Sequence, residues 1–376
     1  MFFLSLLLSL LCLTHTTLNT FPTKMIVNVP VADLRILPEN IDPSVTLPTS
    51  DISNHLQITQ LLMNEHIVAH ESYTDSFNQL WYKVSALQQA RYDSVSKWHG
   101  YPGWILAKDT LEVHDYPVCN SVITQHATPV FDHQNNLVLT LSIGTRVQVV
   151  QMLHTKYCCI LPYGIKGYID KNALLPIQPT IEKTINTLRT EFVQTAHTFL
   201  GFWYSWGGRS TQQDQYISSV DCSALVNLSF LTLGLQTPRM SHEQYLASHR
   251  IHHGKDLQIG DLVFFCSTTK HINRMNHVMI YIGNEQLLES TLAGDEKVRI
   301  IDFEKRMGKP RHMIQTEDIC KDETDEYHVY FGTFFTAVLL QQLRNEALSH
   351  NYQEAYCNAF ANINTKNMPI DFYTNH

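Results

Sequence analysis

Apolar and polar residues alternate in several short runs of the first half of the chain. "LWYKVSAL" (80–87) and "TRVQVVQML" (145–153) show the pattern most clearly. Each precedes a similar stretch, "GYPGWILAKDTL" (100–111) and "YGIKGYIDKNAL" (163–174), which share a glycine, an aromatic, an isoleucine, a charged turn and a closing leucine. Period-2 alternation bounded by turn residues predicts short antiparallel strands. Their recurrence predicts two small β-barrels in tandem. The first is longer and is interrupted by a loop-like stretch, 37–55, rich in Pro, Asp and Ser.

After "LLPIQP" (174–179) the period changes. Ile181, Ile185, Leu188, Phe192 and Ala196 recur at helical spacing within 180–200, and Pro179 suits a helix entry, so a boundary is predicted near 177. An aromatic loop, "GFWYSWGGRS" (201–210), and a polar insert follow. The run after Cys222 is apolar nearly all round, the mark of a buried helix, and Asp221 is a natural N-cap for it. "DLVFF" (261–265), "HVMIYIG" (277–283), "LLEST" (287–291), "KVRIIDF" (297–303) and "YHVYFGTFF" (327–335) read as strands. Helices followed by strands predict an α+β domain. A last helix is expected over 336–350, then a polar, Asn-rich end.

Composition narrows the function. The 376 residues are 44% hydrophobic and 16% charged, ordinary for a globular chain of two or three domains. A net charge of −8 argues against a general nucleic-acid binder, since no basic excess is available to neutralise phosphates. The first charged residue is Lys24, and Phe2–Leu13 is an apolar stretch too short to span a bilayer but suited to an export signal. The competing reading is an N-terminal element buried in the fold. Cys12 raises lipid attachment, although Leu11 before it matches a lipoprotein signal poorly. No other segment is long enough to span a membrane. The eight cysteines include no CxxC pair, and Cys158–Cys159 are adjacent, so no metal site is expected. Removing the signal leaves seven, so at least one thiol is unpaired.

Cys222 holds the candidate chemistry. A cysteine in the first turn of a helix feels the positive end of the helix dipole, which favours thiolate, and the first N–H groups can receive an oxyanion. Nucleophilic catalysis also needs a base and a group that orients it. His277 starts a strand, and Glu289 follows a turn at Gly283–Asn284, so a hairpin brings them side by side. His242, His252, His253 and His271 compete for the base. Taken singly, His277 is a strand histidine and Glu289 a solvated carboxylate; the conjunction with Cys222 favours chemistry.

"YSWGGRS…VDCSALV", then "PRMSHEQ", "GDLVFF" and "NHVMIYIG", in that order, resembles the NlpC/P60 family of cell-wall cysteine peptidases. The resemblance covers roughly 190–335. The "YxWGGRS" form with barrels in front is most similar to its γ-D-glutamyl-L-diamino acid endopeptidase branch. It implies an α+β papain-like catalytic domain preceded by two all-β SH3-like barrels. The implied divisions are a signal peptide at 1–20, SH3-like domains at 21–115 and 116–178, the peptidase at 179–335 and a C-terminal helix and tail at 336–376. By resemblance Cys222 is the nucleophile, His277 the base and Glu289 the orienting third residue, where the family most often has His. Ala224 stands where the family motif has glycine. Tyr204 is an implied oxyanion donor, with aromatic packing as its alternative; for Trp206 packing is favoured. Asp221 is an N-cap that could also meet a substrate ammonium. Ser223 and Ser241 carry over as substrate contacts, and Arg239 as a partner for a carboxylate or a surface residue. Glu65 and Tyr101 match positions that would recognise a free N-terminal amine. The implied protein is an exported, monomeric enzyme of the periplasm or cell envelope, without cofactor or metal. It would cut the γ-D-Glu–diamino acid bond of peptidoglycan stem peptides or muropeptide fragments. The rival is an inactive wall-binding protein that works through its barrels. An acyltransferase of the permuted relatives is disfavoured, since those place His before Cys.

Overall fold

The computed structural model describes residues 21–39, 56–92, 97–177, 183–211, 218–269, 274–321 and 326–348. The apolar segment 2–13 with Cys12, most of the stretch 37–55, His271 and the Asn-rich end lie outside these residues.

The alternating runs form two sets of strands. The first holds β1 Thr23–Val27, β2 Val31–Arg35, β3 Gln57–Leu62, β4 His66–Thr74, β5 Leu80–Tyr92, β6 Trp98–Leu106 and β7 Thr110–Glu112. The second holds β8 Ser121–Ile123, β9 Thr128–Phe131, β10 Leu137–Leu141, β11 Arg146–Met152, β12 Lys156–Ile160, β13 Lys166–Asp170 and β14 Leu174–Pro176. Their orders, β3-β2-β6-β5-β4-β1-β7 and β10-β9-β13-β12-β11-β8-β14, are one permutation used twice. The two similar stretches seen in the sequence lie mainly on β6 and β13, which hold equivalent places in the two orders.

The all-β expectation therefore holds, but closed barrels do not. Among the described residues no pairing joins β3 to β7 or β10 to β14. At the edge of β3 the later chain takes the place of a closing strand. The Gln60 carbonyl accepts from Arg209 at 3.2 Å, and Gln57 donates to the Trp206 carbonyl at 3.1 Å. A covered edge no longer needs a β partner.

The remainder is α+β. It comprises α1 Ile185–His197, β15 Arg209–Ser210, β16 Ser219–Val220, α2 Cys222–Leu231 and α3 Ser241–Ala247. Then come β17 His249–Ile251, β18 Leu262–Ser267, β19 Met275–Gly283, β20 Gln286–Ser290 and β21 Val298–Asp302, followed by α4 Phe303–Met307, β22 Ile319–Lys321, β23 Glu326–Thr333 and α5 Ala337–Leu348. The main sheet runs β17-β23-β18-β19-β20-β21, with β22 beside β23. Helix α1 begins later than its apolar period suggested. Thr184 caps it, its hydroxyl accepting the Thr187 N–H at 3.1 Å, and a polar cap sets a helix start more firmly than periodicity does.

Every residue of α2 is buried. Leu225, Leu228 and Phe230 each contribute about 1.5–3 kcal/mol by burial. The core around α2 joins Phe192 of α1 and Val278, Ile280 and Leu288 of the sheet to Leu62, Leu87 and Trp98 of the first β set and Ile143 of the second. This continuity fixes the β sets against the helix that carries Cys222.

Candidate active site

Asp221 starts α2 as expected. Its Oδ1 accepts the Ala224 N–H at 2.7 Å, leaving Cys222 as the first helical residue. Cys222 is buried, with 7% of its surface open. The motif glycines serve this start. Gly207 has φ +71, and a Cβ there would lie 2.9 Å from the Ile58 carbonyl carbon of β3. Its N–H donates to Asp221 Oδ2 at 3.2 Å. Only glycine provides both the left-handed backbone and the close approach.

The predicted hairpin forms, with its turn one residue later than the Gly283–Asn284 expected. Gly283 pairs with Gln286, and Asn284 and Glu285 both have positive φ, a two-residue turn whose twist matches the strands. In the Ile280–Leu288 register His277 and Glu289 are diagonal neighbours on one face. His277 Nε2–H donates to Glu289 Oε2 at 2.7 Å, which leaves Nδ1 as the nitrogen for Cys222. Burial alone would lower the imidazole pKa. Hydrogen bonding and charge from Cys222, then from Glu289, outweigh it and raise the ring to about 9. Glu289 is fully buried, which by itself raises a carboxyl; His277, Arg306 and Arg299 overcome that and hold it near 2. The arrangement stabilises the imidazolium that forms when the ring takes a proton, with a carboxylate on its far nitrogen.

Tyr204 arrives on a segment tied to the sheet. Gly201 N–H bonds the Val298 carbonyl at 2.9 Å and Tyr204 N–H the Glu296 carbonyl at 2.8 Å. Burial, then the negative charges of Cys222 and Asp221, push its phenol pKa upward, so it stays a hydroxyl donor. With Asn276, His277, Leu292, Arg306 and Tyr327 it walls a cavity of about 340 Å³. Trp206 departs from expectation: it is 54% exposed rather than packed, because its backbone, not its ring, docks on Gln57.

The expected substrate contacts lie close around α2, largely engaged by protein. Arg239 has no exposed side-chain surface; it pairs with Asp221 at 2.7 Å and donates to Ser223 Oγ at 2.9 Å and Thr59 Oγ1 at 2.7 Å. Ser241 Oγ donates to the Met275 carbonyl at 2.9 Å. Glu65 pairs with Arg209 at 2.8 Å and accepts from Gln89 at 3.0 Å. Tyr101 is buried with its hydroxyl on Met240 Sδ at 3.5 Å. Of the rival histidines, His242 is buried, and this drives its pKa down to about 3, while His252 and His253 are exposed. Among the described residues no cluster of three His, Cys, Asp or Glu could hold a metal ion.

Sequence reasoning missed Arg209, Arg299 and Arg306. Arg209, fully buried, links Glu65 and Gln60 to Asn227 of α2. Its position inside "WGGRS" was the available signal. Arg299 sits directly opposite Glu289 in the β20–β21 register.

Fold and site together define an α+β domain organised around a helix-mounted cysteine, a strand histidine and a buried carboxylate. Residues 201–317 match the NlpC/P60 family, and the chain carries a domain of that family there. The bifunctional muramidase/DL-endopeptidase CwlT of Bacillus subtilis (strain 168) is 37% identical over 138 residues, 35% of this chain and 39% of CwlT. Peptidoglycan endopeptidase RipB of Mycobacterium tuberculosis (strain CDC 1551 / Oshkosh) is 34% identical over 106 residues, 26% of this chain and 42% of RipB. The chain thus spans about two fifths of the length of these relatives. The crystal structure of an NlpC/P60 family protein from Bacillus cereus ATCC 10987 matches 84% of this chain and 100% of its own, with TM-score 0.62 and 20% identity, a likeness of fold.

Proposed function

We propose that this chain is a cysteine peptidase that hydrolyses the bond between γ-D-Glu and the diamino acid of peptidoglycan stem peptides. The observation that carries the reading is the Cys222, His277 and Glu289 constellation in the NlpC/P60 domain. The endopeptidase names of CwlT and RipB support the substrate class. His277 Nδ1 takes the Cys222 proton, and the thiolate sulfur attacks the γ-D-Glu carbonyl carbon. The oxyanion meets first-turn N–H groups of α2 and the Tyr204 hydroxyl. Imidazolium passes its proton to the leaving amine as the C–N bond breaks. Water, deprotonated by His277, then releases the γ-D-Glu acid and restores the thiol. A substrate of this kind lies outside the cytoplasm, which fits an export role for Phe2–Leu13.

A preference for a free N-terminal L-Ala would fall on Glu65 and Tyr101, whose polar atoms already meet Arg209, Gln89 and Met240. Mass spectrometry of L-Ala-γ-D-Glu-diaminopimelate incubated with wild type and Cys222→Ala tests the reading. Wild type is expected to release diaminopimelate and the variant none. A folded wild type that releases nothing would favour a wall-binding protein. The N-acetylated peptide decides the amine requirement.

A further inference from the structure

Glu289 is surrounded by cations. Its Oε2 accepts from His277 Nε2 at 2.7 Å and from Arg306 Nε at 3.3 Å. Its Oε1 accepts from Arg299 at 3.1 Å through Nε and 2.9 Å through Nη2. The carboxylate is fully buried. Arg306, from α4, is itself buried and lies 4.8 Å from the Phe265 ring centroid, which fixes the plane of its guanidinium. The two guanidiniums come from different elements and take different oxygens, so Glu289 can neither rotate nor migrate toward solvent.

Such a clamp has a chemical consequence. A buried carboxylate alone beside an imidazole stabilises the imidazolium strongly. A ring held that firmly in its charged form is a poor donor to the leaving amine and a poor base for water. Positive charge on the far side of the carboxylate opposes this. We infer that Arg299 and Arg306 are positioning residues that fix Glu289 and draw off part of its charge, so that His277 gives up its proton at a lower pH than it would beside an unclamped carboxylate. This rests on the peptidase reading and assigns the site two residues that act through Glu289, of which Arg306 also walls the cavity.

Among the described residues the titratable and charged groups around His277 are few. Cys222 comes from α2, Tyr204, Tyr327 and Arg306 wall the same cavity, and Glu289 lies behind the ring, bonded by Arg306 and by Arg299 on its other oxygen. Asp221 at the head of α2 is already matched by Arg239. Removing either guanidinium therefore changes the electrostatics of His277 in one direction, upward.

The test is the titration of His277, followed by NMR of isotope-labelled histidine in the full chain, for wild type, Arg299→Gln, Arg306→Gln and Arg299→Lys. The Gln variants are expected to raise the His277 midpoint by about half a unit to one unit. The basic limb of kcat/KM should move up with it, while kcat/KM at pH 7 falls roughly three- to ten-fold. Arg299→Lys, which keeps the charge, should restore most of the midpoint. A midpoint unchanged in Arg299→Gln, with activity lost equally at every pH, would show a structural role only and overturn the inference. Arg299 is partly exposed, so that variant decides the matter even if Arg306→Gln does not fold. Wild type that cleaves no peptide while the midpoints still shift would instead sink the peptidase reading.

Discussion

The two β sets share one strand order, yet they meet the helix of Cys222 in different ways. The first reaches its N-terminal end. Thr59, Gln60, Glu65 and Gln89 form a buried polar chain that receives Arg239 and Arg209, and through them Asp221 and Asn227. The second abuts the other end, where Gly144 lies against Leu228 and Leu231, and the Ser142 and Thr211 hydroxyls stand 3.3 Å apart. Topology is thus silent about which copy serves the site. A few side chains at one seam decide it, and they do so with buried charge.

The hardest break of this contrast is Arg239→Met. It leaves Asp221, the cap of α2, buried without its cation. Breaking a buried pair from one side costs about 3–5 kcal/mol. Denaturant unfolding should show a loss of that size, and Cys222 should lose its reactivity toward iodoacetamide at neutral pH. A variant that unfolds like wild type would mean that the first seam is no more than a contact.

How far the sequence revealed this differs along the chain. The hairpin of His277 and Glu289 was legible because a turn signal at Gly283–Asn284 separates two strand runs, although the turn itself falls one residue later, on Asn284 and Glu285. The start of α2 was legible because Asp221 is a strong cap. The doubled β pattern was legible from its repeated stretches. Arg299 was not, since the longer connection between β20 and β21 leaves the register open, and a slip of one residue turns a side chain to the other face. The Glu65–Arg209 pair joins residues far apart in the chain, and nothing local in either stretch points to the other. Trp206 misled because an aromatic ring beside glycines reads as packing, whereas here the backbone docks and the ring is left outside.

Glycine substitutions sharpen the comparison. Gly144 has φ +83 and Gly207 φ +71, so alanine is strained at both. At Gly144 the new Cβ meets the tip of Leu228 at 2.9 Å, a side chain that can turn aside. At Gly207 it meets the β3 backbone, which cannot. Gly144→Ala is expected to cost about 1 kcal/mol from the backbone alone. Gly207→Ala adds overpacking, for about 2–4 kcal/mol in all. Equal thermal shifts for the two variants would remove the claim that β3 and the motif loop are pressed together.

The finest comparison uses one isosteric change at each seam. Thr59 Oγ1 accepts from Arg239 at 2.7 Å and donates to Gln89 at 2.8 Å. Thr211 Oγ1 accepts the Ile143 N–H at 3.3 Å. Both residues are fully buried, so valine changes the bonding and little of the volume. A bond to a charged donor contributes about 1.5–3 kcal/mol and a neutral one about 0.5–1.5 kcal/mol. Thr59→Val should therefore destabilise more than Thr211→Val. The two should also part in kind. Loss of the Thr59 bond loosens Arg239 on Asp221 and slows iodoacetamide at Cys222, while Thr211→Val leaves that rate unchanged. A common effect on the rate would mean that α2 responds to any loosening of its surroundings, and the special claim of the first seam on Cys222 would fall.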